Sequence, residues 1–235
     1  MTIVQLPLSF EPERPRYARS EFIVGDANKE ALSLAETWAQ AREDRLLICG
    51  PQGSGKTHLA SIVALAAERA DPKFPFQTHW GDGAALAALD FGAAARLVVI
   101  DNADCAEDGR ELLSVIEKIR ICGARLVLIG RDEPRLWARG LRDLETRLLA
   151  SPRVTLHEPD EELMRAVIQK LFIDRQLKVD PSIAAYAAPR LARTFAAAQV
   201  FVAAVDEAAV ERGAAITKPL AGRVIGRLSA DVADD

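Results

Sequence analysis

The fold prediction starts from one stretch of sequence, Gly50-Pro51-Gln52-Gly53-Ser54-Gly55-Lys56-Thr57. It matches the pattern GxxxxGK[ST] at every fixed position. The residues before it, 46–49, have the apolar pattern of a short buried strand, and the spacing over residues 58–69 predicts a helix. Glycines let the backbone curl so that several N–H groups point at one anion, and the following helix adds the positive end of its dipole. The stretch therefore predicts a phosphate-binding loop, called the phosphate loop below.

Two side chains of the phosphate loop have defined roles in this pattern. Lys56 occupies the position whose ammonium group reaches the β and γ phosphates, and the Thr57 hydroxyl coordinates Mg²⁺. Such loops need an acid that orders Mg²⁺ at the end of a neighbouring strand, and Asp101 follows the apolar run 97–100. The predicted ligands are therefore ADP or ATP together with Mg²⁺. The loop residues predicted to contact the nucleotide are Gly50, Pro51, Gln52, Gly53, Ser54, Gly55, Lys56, Thr57 and the adjoining His58.

The residue after Asp101 is unusual for an efficient ATPase. Many ATPases place a second acid there to activate the attacking water, but this chain has Asn102, whose amide cannot accept a proton from water. Asp104 is acidic but lies two residues further on. We therefore expect tight nucleotide binding and slow hydrolysis, with the choice between ADP and ATP left open.

Short apolar strands alternate with helices through the first two thirds of the chain. Further strands are predicted at residues 76–80, 96–100, 125–129 and 154–156, and further helices at residues 27–41 and 111–121. This alternation predicts an α/β fold with a central five-stranded parallel sheet flanked by helices.

Beyond residue 158 the pattern is helical only. Helices are predicted over residues 160–176 with Asp160 as a cap, after Asp180-Pro181, over residues 194–212, and as a last short helix from Lys218. The predicted domains are an N-terminal peptide with its linker at 1–20, an α/β nucleotide-binding domain at 21–158 and a small α-helical lid at 159–235.

Composition narrows the class of protein. The net charge is −4 and there is no run of Lys and Arg, so direct DNA binding through a basic surface is not expected. Three widely spaced cysteines predict small, buried, reduced side chains and no metal site. No basic stretch leads into an apolar run at the start, and no apolar stretch approaches the ~20 residues of a membrane helix. We expect a cytoplasmic protein with no membrane partner.

Several short motifs together resemble the AAA+ module of the bacterial replication initiator DnaA. They are Phe22-Ile23-Val24-Gly25, Asn28 and Gly55-Lys56-Thr57-His58-Leu59. The resemblance implies that the segment with Ile23 and Val24 contacts adenine. The strand end Ile100-Asp101-Asn102 is similar to that of the Hda group, short DnaA homologues that inactivate the initiator. The resemblance ends with the lid, without the initiator's helix-turn-helix DNA-binding domain, and so implies that DNA is reached only indirectly.

The N-terminal sequence Gln5-Leu6-Pro7-Leu8-Ser9-Phe10 is similar to the peptide by which the Hda group binds the sliding clamp, the beta subunit of DNA polymerase III. Gln5 can hydrogen-bond at the rim of a pocket, while Leu6, Leu8 and Phe10 can fill apolar pockets. An N-terminal strand packed on the domain is the alternative. An exposed apolar tip also predicts a homodimer or larger assembly when the clamp is absent.

The segment 141–148 resembles the stretch that carries the family's arginine finger, with Arg147 at the matching position. Such a finger adds a fixed positive charge at a nucleotide held by another subunit. Arg142 and Arg153 are fallback candidates, and a surface ion pair is the alternative for Arg147.

Two nucleotide-sensing positions depart from the family pattern. After the fourth strand the order is Gly130-Arg131-Asp132-Glu133-Pro134, so the sensor could be Arg131, Asp132 or neither. In the lid, the expected arginine is replaced by Ala196, for which Arg193 or Arg190 could substitute. We expect Arg193 to contact the nucleotide.

The resemblance implies an adaptor that binds nucleotide and the sliding clamp, stimulates ATP hydrolysis by DnaA and so prevents over-initiation of replication. One alternative is an AAA+ ATPase that loads a helicase or assists transposition, which would bind a replicative helicase directly. Another is a P-loop kinase, which would turn over free metabolites without a protein partner.

Overall fold

The computed structural model describes residues 18–41, 43–70, 78–91, 95–131 and 133–233. The predicted clamp peptide lies outside the described residues, as do nearly all of the linker and Asp132. The helices are α1 Lys29–Gln40, α2 Lys56–Ala70, α3 Gly109–Cys122, α4 Pro134–Trp137, α5 Arg142–Leu149, α6 Glu161–Asp174, α7 Pro181–Ala187, α8 Phe195–Arg212 and α9 Lys218–Ala233. The strands are β1 Arg45–Cys49, β2 His79–Asp82, β3 Leu97–Asp101, β4 Arg125–Gly130 and β5 Arg153–Thr155.

The five strands form one parallel sheet in the order β2-β3-β4-β1-β5. Leu97 to Ile100 are completely buried because successive side chains of a strand point to opposite faces and both faces are covered. On one face Leu97 and Val99 pack in a core that includes residues of α1 and α2. On the other, Val98 and Ile100 pack in a core that includes residues of α3 and α5. The predicted α/β fold with a five-stranded parallel sheet is confirmed.

The residues after β5 have a hydrophobic core of their own. Buried side chains of α6, α7, α8 and α9 form it, with the Phe172 and Phe201 rings 6.4 Å apart in an edge-to-face contact. The predicted caps are present: Asp160 accepts a hydrogen bond from the Leu163 N–H, and Asp180 accepts one from the Ser182 N–H. The domain boundary at residue 158 stays a prediction.

Three sequence predictions need correction. The described second strand is His79–Asp82 and so extends two residues beyond the predicted end at 80, because Gly81 and Asp82 pair with the end of β3, while residues 76–77 of the prediction lie outside the described residues. The last helix has 16 residues and is not short, because Leu220 and Val224 are buried against the lid core. Cys49 is buried, but Cys105 is only half-buried and Cys122 is exposed at the end of α3. Burial raises the pKa of Cys49 to about 12.

Candidate nucleotide-binding site

A cavity of about 540 Å³ lies at the carboxyl edge of the sheet, between the phosphate loop and the lid. Crevices at this edge are where open α/β sheets bind ligands. Asp101 ends β3, Gly130 ends β4 and the phosphate loop follows β1, so three adjacent strands deliver residues to one place. The volume suits a ligand of nucleotide size.

The phosphate loop has the curled backbone that the sequence predicts. Gly53 and Gly55 have φ angles of +74° and +91°, a region that side chains other than glycine rarely adopt. Ser54 is buried and its hydroxyl donates to the Pro51 carbonyl at 2.9 Å, which closes the turn. Helix α2 begins at Lys56, so its positive end faces the loop. The result is a concave backbone suited to an anion.

Lys56 folds back over the loop. Its ammonium group donates to the carbonyl oxygens of Gly50 at 2.8 Å and Pro51 at 2.7 Å. Burial lowers the pKa of Lys56, while the nearby carboxylates of Asp101 and Asp104 oppose that shift. The ammonium is therefore held at the mouth of the loop, by hydrogen bonds that a phosphate can replace.

Thr57 and Asp101 meet beside Lys56. The Thr57 hydroxyl donates to Asp101 Oδ2 at 2.9 Å, and both residues line the cavity. A hydroxyl and a carboxylate are oxygen ligands of the kind Mg²⁺ takes, and Mg²⁺ commonly completes its shell with phosphate oxygens and waters. Among the described residues there is no group of three His, Cys, Asp or Glu side chains that could hold a metal ion. The pair thus fits Mg²⁺ brought with a nucleotide, and that assignment stays a prediction.

Asn102 also lines the cavity, in a left-handed backbone conformation with φ 52°. Its side-chain amide donates to Asp82 Oδ2 at 2.9 Å, and its backbone N–H donates to Asp101 Oδ1 at 2.9 Å. An amide cannot act as the general base for an attacking water. Slow hydrolysis stays a prediction.

Phe22 and Ile23 contribute apolar side chains to the cavity lining beside His58. Phe22 and His58 contact each other edge to face at 5.0 Å, and His58 Nε2 lies 3.3 Å from the Ala18 carbonyl oxygen. Val24, in contrast, is 46% exposed and lies outside the lining. Apolar side chains such as these suit the flat faces of a base, and a mixture of apolar and polar lining residues is usual in a ligand pocket.

Asn28 shapes the segment that contributes these apolar side chains. It is almost fully buried, accepts a hydrogen bond from the Gly25 N–H at 2.9 Å and donates to the Ile23 carbonyl at 2.9 Å. The sequence marked Asn28 only as part of the family motif. Its role in the structure is to hold the turn that presents Ile23 to the cavity.

The lid contributes residues that sequence reasoning missed. Val167, Lys170, Leu171 and Asp174 line the cavity from one face of α6, and their i, i+3, i+4, i+7 spacing is the signal that could have found them. Phe195 and Gln199 do the same from α8. The spacing identifies one face of α6, but which partner that face meets depends on how the lid rests on the sheet.

The predicted lid sensors lie elsewhere. Arg193 is exposed and is not among the residues that line the cavity, because the chain between it and α8 turns so that Phe195 faces inward. Arg190 packs over the Tyr186 ring at 4.0 Å and donates to the Tyr186 carbonyl. Ala196 is exposed. Within the described residues 190–196, no cation lines the cavity, and a nucleotide contact by Arg193 stays a prediction.

The lid rests directly on the phosphate loop. The Phe195 N–H donates to the Gly53 carbonyl at 3.2 Å, and a Cβ at Gly53 would lie 2.7 Å from Thr194 Cβ. We expect Gly53→Val to weaken nucleotide binding at least ~10-fold, because strain of ~1–2 kcal/mol in the loop adds to a clash that pushes the lid away. Calorimetric titration with ADP and Mg²⁺ measures this.

Gly123→Val is the matched control for that substitution. Gly123 has a similar φ of +69°, but nothing lies within 4 Å of its missing Cβ. The control should lower the unfolding midpoint while leaving ADP affinity unchanged. Equal ADP affinities for the two variants would contradict the claim that the contact between Gly53 and the lid supports nucleotide binding.

Arg147 lies far from the cavity of its own chain. It lies near the end of α5, shortly before β5, whose first residue pairs with Leu47 of β1. The Arg147 carbonyl accepts a hydrogen bond at 3.1 Å from the side chain of Arg45, the first residue of β1. The phosphate loop follows the other end of β1, ~13 Å further along that strand. Any action of Arg147 on a nucleotide must therefore be on one held by another molecule.

The Arg147 guanidinium is already engaged in ion pairs. It contacts the Asp143 carboxylate at 3.1 Å and also pairs with Glu117 of α3, and its side chain is one third exposed. These ion pairs stabilise the charged guanidinium, and the pKa of Arg147 is raised chiefly by its hydrogen bond to Asp143. The fallback Arg153 pairs with Glu133 at 2.6 Å. The ion-pair alternative is thus present in the structure, and a finger role would require exchange of these partners.

Comparisons with known proteins identify the fold. No family model matches the chain. Over 69 residues it is 42% identical to the chromosomal replication initiator protein DnaA of Rhizobium meliloti (strain 1021). That match covers 27% of this chain and 14% of the initiator, so the chain spans a small part of that relative's length.

Solved structures of low sequence identity share most of the architecture. Domain III of the Thermotoga maritima replication initiation protein DnaA has a TM-score of 0.79 at 18% identity, covering 92% of this chain and 98% of that one. The Thermotoga maritima RuvB Holliday junction branch migration motor has a TM-score of 0.69 at 21% identity, covering 90% and 72%. The replication initiator DnaA bound to AMPPCP and single-stranded DNA has a TM-score of 0.68 at 15% identity, covering 85% of this chain and 69% of that one. The chain has an AAA+ fold, and that fold is DnaA-like.

None of the described helices combines the length and apolar character needed to cross a membrane.

Proposed function

We propose that this chain is a nucleotide-bound AAA+ adaptor of the Hda type, which binds the sliding clamp and stimulates ATP hydrolysis by the initiator DnaA. The observation that carries the proposal is the cavity in which the phosphate loop, Lys56 and the Thr57–Asp101 pair converge. These groups suit a polyphosphate with Mg²⁺, and AMPPCP is the ligand named for a DnaA structure of the same fold.

A regulatory role, as opposed to rapid turnover, is supported by Asn102. The position that would activate water carries an amide bound to Asp82. A protein that retains its nucleotide can use the bound state to hold its lid on the loop, through Phe195 and Gly53. The nucleotide would then stabilise the conformation that meets the partner.

Action on a partner's nucleotide is supported by the placement of Arg147. It lies toward the edge of the sheet opposite to its own phosphate loop, so it cannot reach its own nucleotide. It could act on a nucleotide of a neighbouring molecule by exchanging its Asp143 and Glu117 partners. In trans, an arginine can stabilise the charge that develops on the transferred phosphate, worth ~10³–10⁵ in rate.

The proposal is tested by measuring hydrolysis of ATP bound to the initiator while components are omitted in turn. The complete mixture contains the initiator, this protein with ADP, and clamp loaded on DNA. Hydrolysis should be fast only in the complete mixture. Equal hydrolysis without this protein would contradict the adaptor role, and binding to a replicative helicase in place of the clamp would favour the loader alternative.

Clamp attachment is expected to depend on the N-terminal peptide. Gln5→Ala combined with Leu8→Ala should weaken clamp binding at least ~10-fold, because a rim hydrogen bond and one apolar anchor are lost together. Binding to immobilised clamp measures the effect. Thr2→Ala with Ser9→Ala is the control and should bind normally. Unchanged affinity in the Gln5 and Leu8 variant would remove the clamp from the proposal.

A further inference from the structure

A charged pair on the lid lines the cavity. Lys170 and Asp174 lie one turn apart on α6, and the Lys170 ammonium donates to Asp174 Oδ2 at 2.5 Å. They share a face of the helix with the apolar Val167 and Leu171, and all four residues line the cavity. The Asp174 side chain is 50% exposed, so a ligand in the cavity can reach its carboxylate.

The start of α6 packs on the segment that presents Ile23 to the cavity. A Cβ at Gly25 would lie 3.2 Å from Leu163 Cβ, so the helix lies directly beside this segment. Val167 and Leu171 follow about one and two turns further along α6, and the charged pair lies about two and three turns along. The helix thus carries the lining away from Ile23, and the carboxylate comes last.

His58 relates the charged pair to the phosphate loop. It directly follows Thr57, and its ring contacts the Phe22 ring edge to face at 5.0 Å. Burial lowers the pKa of His58, and the positive charge of Lys170 lowers it further, so Lys170 lies close to this ring. The charged pair is therefore near the place where the phosphate loop meets the apolar lining. In a nucleotide with its phosphates in the loop and its base beside Phe22, that place holds the ribose.

Asp174 is the most available carboxylate of the cavity lining. Among the described residues, Glu21 and Asp101 are the other carboxylates that line the cavity. Asp101 is bonded to the Thr57 hydroxyl beside the phosphate loop, and Glu21 accepts a hydrogen bond at 3.2 Å from a backbone N–H of its own short turn. Lys170 contacts one oxygen of Asp174, and a carboxylate has about four acceptor positions. Asp174 can therefore keep its lysine and still accept from a ligand.

The charge of the pair suits hydroxyl groups better than phosphates. The lining cations beside the phosphate loop are Lys56 and Arg131, and Arg131 pairs with Asp104 at 3.3 Å. On the lid, Lys170 and Asp174 balance each other's charge. The lid thus presents acceptor oxygens without the net negative charge that would repel nearby phosphates.

A carboxylate at this place matches the sugar of ADP or ATP. The two ribose hydroxyls are neighbouring donors, and the two oxygens of one carboxylate can accept from both. Dinucleotide-binding folds use an acidic side chain on the 2′-hydroxyl in a similar way. We propose that Asp174 binds the ribose hydroxyls of the nucleotide, with Lys170 as its positioning residue, so that affinity depends on the sugar. The assignment rests on the proposed nucleotide binding at the phosphate loop.

The test is calorimetric titration of the full chain with ADP and with 2′,3′-dideoxy-ADP, each with Mg²⁺. The wild type should bind ADP at least ~5-fold more tightly, because the hydrogen bonds to a charged acceptor are lost with the hydroxyls. Asp174→Ala should bring the two affinities within ~2-fold of each other, and Asp174→Asn should keep part of the preference. Lys170→Met should reduce the preference by a smaller factor than Asp174→Ala, since the carboxylate is no longer held in place. Glu207→Ala, which removes an exposed acid of α8 outside the lining, should keep the wild-type preference.

Thermal unfolding of each variant checks that the fold is retained, as expected because an exposed ion pair one turn apart adds little to stability. Equal affinities of the wild type for the two nucleotides, or a wild-type preference in Asp174→Ala, would overturn the assignment and leave the proposed function intact. A Lys170→Met variant that weakens both nucleotides equally would remove Lys170 as the positioning residue. Failure of the wild-type chain to bind either nucleotide would overturn the proposed function and this inference together.

Discussion

Lys56→Ala should reduce ADP and ATP affinity by at least ~100-fold. In the wild type, the Lys56 ammonium would leave the Gly50 and Pro51 carbonyls and bind the phosphates. Each hydrogen bond to a charged group is worth ~1.5–3 kcal/mol, and the substitution removes these bonds. Burial lowers the pKa of Lys56, and the carboxylates of Asp101 and Asp104 oppose that shift. The negative charge of a bound polyphosphate would oppose it further and keep the ammonium protonated. Calorimetric titration or displacement of a fluorescent ADP analogue measures the loss.

Two further variants make the Lys56 result specific. Lys56→Met keeps the aliphatic stem and should lose affinity to the same extent, which separates the charge from packing. Lys178→Ala removes an exposed lysine of the lid that does not line this cavity, and should bind normally. Micromolar ADP binding by Lys56→Ala would mean that the loop is a structural turn only.

Arg147→Ala should abolish stimulation of initiator ATP hydrolysis, a loss of up to ~10³–10⁵ in rate if the arginine completes the partner's site. Clamp and nucleotide binding should be unaffected, because Arg147 lies toward the opposite edge of the sheet from the phosphate loop. The rate of hydrolysis of initiator-bound ATP, with clamp on DNA present, measures the effect. Arg147→Lys should restore little, since a lysine lacks the planar fork.

The ion pairs of Arg147 supply a control for a merely structural role. Glu117→Gln removes the carboxylate that pairs with Arg147 across α3 and α5, and leaves the arginine in place. If Arg147 acts on the partner's nucleotide, this variant should stimulate ATP hydrolysis by the initiator at least as well as the wild type. Only the ion pair with Asp143 would then have to break to release the guanidinium. Arg120→Ala removes the other arginine bound to Glu117 and should also stimulate normally. Inactivity of Glu117→Gln to the same degree as Arg147→Ala would assign Arg147 to the fold.

The sheet and the phosphate loop were predictable because their signals are local. A fully apolar strand such as Leu97–Ile100 requires cover on both faces, and the positive φ angles of the loop at Gly53 and Gly55 favour glycine there. The meeting of Thr57 with Asp101, 44 residues apart, followed from the rule that parallel strands end at one edge. These features depend on residue type, short spacing and the topology of a parallel sheet.

The lid side of the cavity depends on long-range packing and was not predictable in the same way. Phe195 faces the loop while Arg193, two residues earlier, faces away, and no periodicity distinguishes these outcomes before α8 begins. The exposed Cys122 has a similar explanation, since its helix ends at the surface. Asp104 looked too far from the second acidic position, yet the left-handed turn at Asn102 folds it beneath Arg131.

The most direct test of the central claim is a crystal structure of the full chain with ADP and Mg²⁺. We expect the phosphates inside the curl of residues 50–57, Mg²⁺ beside Thr57 and Asp101, and the base between Phe22, Ile23 and the α6 face. Density for ADP elsewhere, with the loop flattened and Lys56 still bonded to the Gly50 and Pro51 carbonyls, would contradict the claim that this cavity is a nucleotide site.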